Sequence, residues 1–157
     1  MPFHFFGENN DNVEIKRSKI KNAGRGLFAT QNFDKDDFVC WYFGCLIEKD
    51  FVANGYYDSD YLLHNPHHSD LIIDAADEKS CYGRYINDSL ALKKNNCEFE
   101  FYTDTTSAGI IATKNIKKGD EFYISYGMEF WREERRYNLL SKRNKEYIDN
   151  RDDGIEL

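Results

Sequence analysis

Short strand-like segments, each ended by turn-forming residues, follow one another from Val13 onward and constrain the fold more than any other feature. The stretch VEIKRS alternates polar and apolar side chains as a half-buried strand does, and the KNAGRG that follows is rich in turn residues. Similar segments recur at GLFAT, FDKDDFVCWYFGCLI, LIIDA, CEFEFY, GIIATKNI and EFYISYG. Many short strands with close turns must be buried in small sheets, so the sequence predicts a mostly β fold.

Two parts of the chain depart from the strand pattern. Residues 48–70 mix Asn, Gly, Asp and His with tyrosines, which predicts an irregular, variable insertion containing one helical turn. The stretch MEFWREERRYNLLSKRNKEY changes to helical spacing and predicts a C-terminal helix whose interleaved Glu and Arg form a salt-bridged solvent face. Its apolar members are Phe130, Trp131, Tyr137 and Leu140. We expect residues 1–12 to form a flexible N-terminal arm.

The size and charge of the chain limit its organisation and its partners. At 157 residues it suits one core, so we expect one domain over residues 13–131, followed by the C-terminal helix and tail over residues 132–157. The formal net charge of −7 argues against direct nucleic-acid binding, because binding to phosphates needs a basic face. No apolar run is long enough to cross a bilayer, so we expect no membrane partner.

The residues that bind metals most often do not have metal-site spacing here. The four cysteines lack a C-x-x-C pair, which argues against structural zinc and favours reduced thiols in an intracellular compartment. The stretch HNPHH brings His64, His67 and His68 close in sequence, but loop histidines without fixed spacing are usually solvated. We therefore expect no metal site.

Four separated motifs contain the residues that could form a functional site. They are NAGRGLFAT at 22–30, WYFGCLIE at 41–48, IDAADEKSCYGRYINDS at 73–89, and KKGDEFYISYG at 117–127 followed by MEFW. Each alone is a weak signal, because glycine pairs and tyrosine-containing turns are common. Together, in this order and spacing, they resemble the signature of the SET-domain protein-lysine methyltransferase family, over roughly Val13 to Trp131.

The resemblance implies a fold, a reaction and a cofactor. The fold would be the SET fold, with several short-stranded sheets, a knot-like crossing and, in this chain, the C-terminal helix. The reaction would transfer methyl groups from S-adenosyl-L-methionine to the ε-amine of a lysine in a basic protein or peptide, with a histone tail as the expected example. With a histone as substrate, the enzyme would lie in the nucleus or on chromatin; with another substrate, it would lie in the cytoplasm.

The resemblance assigns the cofactor contacts to Ala23, Gly24, Arg25, Tyr42, Asn87 and Asp88. Gly24 and Gly26 suit this role because residues without Cβ let the backbone approach a ligand closely. The RYINDS stretch matches the R-F-I-N-H-S of the family, with Asp88 in place of His, so we expect the Asp88 backbone to contact the adenine. The longer loop that follows leaves open whether Asn95 or Asn96 matches the second Asn of the family.

The resemblance assigns the chemistry to tyrosines, with Tyr126 as the catalytic tyrosine and Tyr61 of DYLL as a second catalytic wall. Ile124 and Tyr126 would point to the same side of a strand, so both can line one channel. The expected channel residues are Ile124, Phe99, Phe101 and Trp131. In the family, the residue at the Ile124 position helps to set the number of methyl groups added, and isoleucine has no hydroxyl to hold a water. We therefore expect more than one methyl per lysine.

The sequence departs from many members of the family in its zinc ligands. The position where a zinc-binding cysteine often follows the motif is Leu90, and no cysteine follows Cys97. We therefore expect a compact member without zinc-binding flanks, similar to viral SET proteins, in which the C-terminal helix closes the channel. Two alternatives stay open: a SET-fold module that binds protein partners without catalysis, and a small β-rich interaction protein. The choice between monomer and homodimer also stays open.

Overall fold

The computed structural model describes residues 10–150, which form eight short strands, four short α-helices and one 3-10 helix. The strands are β1 (Val13–Arg17), β2 (Arg25–Ala29), β3 (Phe38–Tyr42), β4 (Cys45–Glu48), β5 (Leu62–Leu63), β6 (Leu71–Asp74), β7 (Cys97–Phe101) and β8 (Ala108–Ala112). The helices are α1 (Lys49–Ala53), α2 (Met128–Arg132), α3 (Glu134–Asn138) and α4 (Lys142–Asp149), and the 3-10 helix is Gly83–Tyr85. Strand residues outnumber helical residues, so the predicted mostly β class is confirmed. No helix within residues 10–150 is long and apolar enough to span a membrane.

The strands pair antiparallel in three small sheets. β1 pairs with β2, β8 lies between β3 and β7, and β6 lies between β4 and β5. In the first sheet Arg17 pairs with Arg25, so Ala23 and Gly24 of the AGRG motif lie in the loop at the end of a hairpin. The single helical turn predicted in the insertion is α1.

The stretch EFYISYG does not form the regular strand that its alternation predicts. Residues 121–127, called the crossing segment below, make isolated bridges instead, with Asn87 parallel to Tyr123 and Cys97 parallel to Ile124. The Ile124 N–H donates to the Asn87 carbonyl at 3.0 Å, and the Cys97 N–H donates to the Tyr123 carbonyl at 3.0 Å. The segment therefore lies between two distant parts of the chain, as expected for the knot-like crossing.

The apolar run before the insertion was predicted as one buried strand, and the structure divides it into β3 and β4. The two strands belong to different sheets. The chain turns between them at Gly44, where an added Cβ would lie 2.1 Å from the Asp74 carbonyl oxygen. Only glycine permits this close approach, and the division places Tyr42 at the end of β3.

The C-terminal stretch was predicted as one helix, and the structure corrects this to the three short helices α2, α3 and α4. Glu133 has a non-helical ψ of 128°, and its carboxylate accepts hydrogen bonds from the backbone N–H groups of Arg135 and Arg136. Ser141 caps α4 in the same way by accepting from Asn144 N–H. Two N-cap residues inside the apolar pattern therefore interrupt the helix.

All three sheets contribute to one core with the crossing segment. The largest fully buried side chains include Leu27, Val39, Ile73, Ile110, Phe122 and Ile124. The described end of the predicted N-terminal arm is attached to this body, since Asn10 Nδ2 donates to the Val39 carbonyl at 2.8 Å. The remaining predicted arm residues, 1–9, and the tail at 151–157 lie outside the described residues.

Candidate active site

A cavity of about 850 Å³ lies where the hairpin loop, the insertion, the crossing segment and the C-terminal helices meet. The predicted site residues that line it are Ala23, Tyr42, Tyr61, Asn87, Asp88, Phe99, Ile124, Tyr126 and Trp131. Gly24 and Arg25 line a second cavity of about 670 Å³ instead. Phe101 stacks on Phe99 with ring centroids 6.1 Å apart and is not among the residues that line the first cavity. All four motifs thus contribute to one site.

Tyr126 is fixed at both ends of its side chain. Its Oη donates a hydrogen bond of 2.6 Å to the Ile86 carbonyl oxygen. Its ring stacks on Trp131 at 5.8 Å and meets Phe130 edge-on at 5.0 Å between centroids. Because the hydroxyl proton is used by Ile86, the oxygen lone pairs can accept a hydrogen bond from a group in the cavity.

Burial raises the pKa of the Tyr126 phenol, and the nearby Asp88 and Tyr61 raise it further. Burial also raises the pKa of Tyr42 well above its ordinary value. Both phenols therefore stay protonated at neutral pH. Each acts as a neutral hydrogen-bonding group and not as a base.

Tyr42 and Tyr61 form one wall of the cavity and are held by each other and by Arg84. Tyr42 Oη donates to the Tyr61 carbonyl at 2.7 Å, and the Tyr42 ring meets Phe99 edge-on at 5.7 Å. The Arg84 guanidinium lies 4.2 Å from the Tyr61 ring centroid, and its Nε donates to the Ala75 carbonyl at 2.8 Å. A cation, the first residue of the RYINDS motif, therefore packs against the aromatic wall.

Asn87 connects the crossing segment to the hairpin loop. Its Nδ2 donates to the Arg25 carbonyl at 2.9 Å, while its own carbonyl accepts from Ile124 N–H. Within residues 10–150 no hydrogen bond to Asn87 Oδ1 is present, so this oxygen can accept a bond from a ligand. Ala23 of the hairpin loop and Asn87 thus both line the cavity on the side formed by that loop.

The Asp88 carboxylate faces the protein and accepts four hydrogen bonds. Oδ1 accepts from Leu90 N–H at 2.8 Å and from Asn95 Nδ2 at 3.3 Å. Oδ2 accepts from Tyr126 N–H at 3.0 Å and from Trp131 Nε1 at 2.8 Å. The side chain is therefore occupied by internal contacts, and only the backbone remains for the predicted cofactor contact.

Glu121 anchors the hairpin loop, although it was not recognised in the sequence. It is 3% exposed. Its Oε2 accepts from Ser18 Oγ at 2.6 Å, and its Oε1 accepts from Lys19 N–H at 2.7 Å and from Tyr123 Oη at 3.1 Å. An added Cβ at Gly26 would lie 2.4 Å from Glu121 Oε2, which explains why the second glycine of AGRG is needed. In the sequence Glu121 resembles an ordinary turn residue.

The C-terminal helices are joined to the insertion by a charge cluster, called the latch below, of Asp60, Arg135 and Arg136. Asp60 Oδ1 accepts from Arg135 Nη2 at 2.7 Å and from Arg136 Nη2 at 3.0 Å. Burial alone would raise the pKa of Asp60, but the hydrogen bonds and charges of Arg136 and Arg135 lower it. The predicted ion pairs within the helical stretch are longer, at 3.8 Å and 3.9 Å to Glu133. Arg136 also lies 4.0 Å from the Phe130 ring centroid, so the latch closes one side of the cavity.

Asn95 and Asn96 both have structural roles. Asn96 holds the crossing segment, since its Nδ2 donates to the Glu121 carbonyl at 3.0 Å and its Oδ1 accepts from Tyr123 N–H at 2.8 Å. Asn95 Oδ1 accepts from Ser89 Oγ at 2.6 Å and orders the loop after RYINDS. Asn96 is thus the residue that contacts the crossing segment through its side chain.

The histidines of HNPHH do not form a metal site with neighbouring side chains. Across residues 10–150 no group of three or more His, Cys, Asp and Glu side chains is arranged to hold a metal ion. The Nε2 atoms of His64 and His68 are buried without a hydrogen-bond partner. The burial of these two nitrogens corrects the expectation that the loop histidines are solvated.

Comparison with known proteins adds a family match. The sequence profile described as SET domain matches residues 24–127. The N-lysine methyltransferase KMT5A-A of Xenopus laevis is 32% identical over 123 residues, covering 72% of this chain and 36% of the relative. The histone-lysine N-methyltransferase SETD7 of Halocynthia roretzi is 30% identical over 123 residues, covering 71% of this chain and 31% of the relative. The chain thus spans about a third of the length of these relatives.

Solved structures show the same fold. A humanized mutant of the Chaetomium thermophilum Polycomb Repressive Complex 2 bound to the inhibitor GSK126 contains a chain that matches with a TM-score of 0.60 and 27% identity. The match covers 73% of this chain and 15% of that chain. The sequence profile and the solved structures therefore support the SET fold for this chain.

Proposed function

This chain belongs to the SET-domain family, and from that premise we propose that it is a protein-lysine N-methyltransferase that uses S-adenosyl-L-methionine. One observation carries the proposal. Tyr126 Oη is held by the Ile86 carbonyl, next to Asn87 and inside an aromatic cavity, with its lone pairs free for a substrate. A lysine side chain beside this oxygen would meet a ligand held by Asn87 and Ala23.

The cavity residues fit the proposed cofactor. The volume of about 850 Å³ lies within the range of about 300–1,000 Å³ typical of small-molecule sites. Asn87 Oδ1 and the backbone of residues 20–23 would offer polar contacts to the amino acid end of the cofactor, and Leu90 would offer apolar surface to its nucleoside. When bound, the cofactor supplies a methyl group on a positively charged sulfur.

The residues around the channel favour the neutral form of a substrate lysine. A lysine with a pKa of about 10.4 is almost fully protonated at pH 7, yet only the neutral amine has a lone pair for attack. Removal of water by the aromatic walls and the positive charge of Arg84, which packs on Tyr61, would both lower this pKa. The proton leaves to solvent before the amine is enclosed, so no residue has to act as a strong base.

Tyr126 then orients the amine. The amine N–H donates to Tyr126 Oη, which points the nitrogen lone pair along the channel. With the cofactor bound, a bond would form between the lysine nitrogen and the methyl carbon as the bond between carbon and sulfur breaks, and the contribution of Tyr126 would be to hold the amine in line. Alignment of the two reactants supplies most of the rate enhancement, as in other reactions between two bound molecules.

We also propose that the enzyme adds more than one methyl group. Ile124 is 2% exposed, lines the cavity and carries no hydroxyl that could hold a water in the space needed by a methylated amine. Phe99, the neighbouring channel residue, is also without a hydroxyl. At these two positions a methylated amine would therefore meet apolar side chains and no hydroxyl when it rotates for a second transfer.

The proposed substrate is a basic peptide, with a histone tail as the first choice. Several matched relatives are named histone-lysine methyltransferases. The net charge of −7 favours a cationic partner over a nucleic acid. If a histone is the substrate, the enzyme acts in the nucleus or on chromatin, and otherwise in the cytoplasm.

The test mixes the purified protein with methyl-labelled S-adenosylmethionine and histones, and measures the label that histones acquire. Tyr126→Phe removes the phenol oxygen and keeps the ring, so we expect transfer to fall by about 100-fold or more. Tyr102→Phe is the matched control, because its hydroxyl bonds to Glu100 and Tyr102 is not among the cavity-lining residues. Binding of the cofactor without transfer would favour the binding module, and absence of both would refute the proposal.

A further inference from the structure

Asp88 lies at the junction of the two halves of the site. Asp88 follows Asn87, whose side chain contacts the hairpin loop. The Oδ2 atom of Asp88 accepts hydrogen bonds from Tyr126 N–H and Trp131 Nε1. The side chain is 8% exposed. A buried carboxylate therefore connects the cofactor side of the cavity to the aromatic residues at the other side.

The two carboxylate oxygens of Asp88 have separate tasks. Oδ1 holds its own loop through Leu90 N–H and Asn95 Nδ2, and Leu90 has a φ of 52°, which a branched side chain rarely adopts. Oδ2 holds the Tyr126 backbone and the Trp131 indole. One side chain therefore fixes a strained loop and the catalytic aromatics relative to each other.

Only a carboxylate can meet all four donors. It has two oxygens with about four lone-pair sites and carries no hydrogen. An asparagine at position 88 has one acceptor oxygen, so its NH₂ group would face either the Leu90 or the Tyr126 side, where N–H groups already point. The neutral imidazole of the family's histidine has a single acceptor nitrogen. The departure at this position therefore matches the hydrogen-bonding demand of its surroundings.

We propose that Asp88 is a positioning residue for methyl transfer, which holds Tyr126 and Trp131 in register with the cofactor-side segment. This inference rests on the proposed function. The stack of Tyr126 on Trp131, with planes only 16° apart, keeps the phenol over the channel. Loss of the Asp88 Oδ2 bonds releases the Tyr126 backbone and the indole at the same time. The Tyr126 ring can then tilt about its remaining bond to the Ile86 carbonyl, which turns the phenol lone pairs away from the channel.

The test compares wild type, Asp88→Asn, Trp131→Phe and the double variant by steady-state kinetics and by ¹⁵N–¹H NMR of the indole groups. The chain has two tryptophans, so Trp131→Phe identifies the Trp131 indole signal by its loss. We expect Asp88→Asn to lower kcat by about 100-fold, the effect that a misplacement of about 1 Å can produce. We expect KM for S-adenosylmethionine to change by less than about threefold, because the lost bonds act on alignment more than on binding.

Two further results distinguish positioning from a general loss of structure. The Trp131 indole proton should move upfield in Asp88→Asn, because its bond to a charged oxygen is lost. The loss of kcat caused by Asp88→Asn should be smaller in the Trp131→Phe background, where that bond is already absent. An unchanged kcat, or an equal loss in both backgrounds with an unmoved indole signal, would overturn the inference.

The outcomes separate this inference from the proposed function. If wild type transfers no methyl group, the proposed function fails, and the indole signal alone decides whether Asp88 holds Trp131: a shift supports this contact and an unmoved signal overturns it. If Asp88→Asn does not fold, the kcat of Trp131→Phe tests the inference, because this substitution removes the indole donor to Asp88 and keeps an aromatic ring. A wild-type kcat in that variant would then overturn the inference.

Discussion

Glu121→Gln is the sharpest test of how the hairpin loop is held in place. The substitution keeps the length and shape of the side chain, so it changes only the charge and one acceptor. The Gln oxygen can still accept from Lys19 N–H and Tyr123 Oη, which now bond to a neutral group. Its NH₂ group faces Ser18 Oγ, which donates to Glu121 at 2.6 Å and already accepts from Ile20 N–H at 3.0 Å. The serine proton therefore loses its acceptor.

The expected cost follows from these bonds. Hydrogen bonds to charged groups are worth about 1.5–3 kcal/mol each and neutral ones about 1 kcal/mol, so the exchange should lower the free energy of unfolding by at least about 2 kcal/mol. Glu121 is 3% exposed, so screening by water reduces this only slightly. For a chain of this size a loss of about 2 kcal/mol corresponds to a fall in Tm of about 4–8 °C.

Urea unfolding measures this change, and the m-value should stay the same because the surface exposed on unfolding is unchanged. Glu98→Gln is the matched control, since Glu98 is an exposed residue of β7 and its midpoint should equal that of wild type. The cofactor affinity of Glu121→Gln should also fall, because residues 18–24 lose their anchor. A Glu121→Gln midpoint equal to that of Glu98→Gln would refute the reasoning.

Three other predictions follow from the site. Asp60→Asn should lower the free energy of unfolding by less than about 1 kcal/mol, because the Asp60 side chain is half exposed. It should also raise the peptide KM, and added salt should raise the KM of wild type in the same way. A peptide KM that neither the substitution nor salt changes would contradict this prediction. Burial, together with the nearby Glu121, raises the pKa of Tyr123 to about 12, and burial also raises the pKa of Tyr126. Both phenols therefore contribute stability that is fully present below pH 10, the approximate pKa of tyrosine in the unfolded chain. This stability is lost as the pH rises through the pKa values of the folded protein. Initial rates should therefore rise from pH 7 to 9 with the neutral fraction of lysine, and a fall below pH 9 accompanied by tyrosinate absorbance would contradict this. Ile124→Tyr should shift the products toward monomethyl-lysine in mass spectra of exhaustively methylated peptide, and a wild-type enzyme that stops at one methyl would refute the multiple-methyl proposal.

The local patterns in the sequence predicted the strands well and the crossing poorly. Alternation depends only on neighbouring residues, so CEFEFY and VEIKRS were recognised as the regions of β7 and β1. EFYISYG alternates equally well, but its hydrogen bonds go to residues 87 and 97 and not to one neighbouring strand. No short-range pattern contains that information. The helix breaks at Glu133 and Ser141 were readable as N-caps and were missed because the apolar spacing continues through them.

The same difference between local patterns and long-range contacts applies to the site residues. The resemblance named Asn87 and Tyr126, and both line the cavity because the motif order follows the fold. Phe99 and Phe101 lie on one face of β7, so the sequence could not tell which of them borders the cavity. The internal role of Asp88 depends on where the Trp131 indole lies, which only the packing of α2 determines.

The crossing segment also determines when the site can exist during folding. Tyr123 N–H bonds to Asn96 across 27 positions of sequence, and Tyr126 N–H bonds to Asp88 across 38. Contacts between such distant positions require closure of long loops, so they form slowly and late. The hairpin of β1 and β2 is local and can form early. A partly folded chain can therefore contain this hairpin before the crossing segment places the Tyr126 phenol in the cavity.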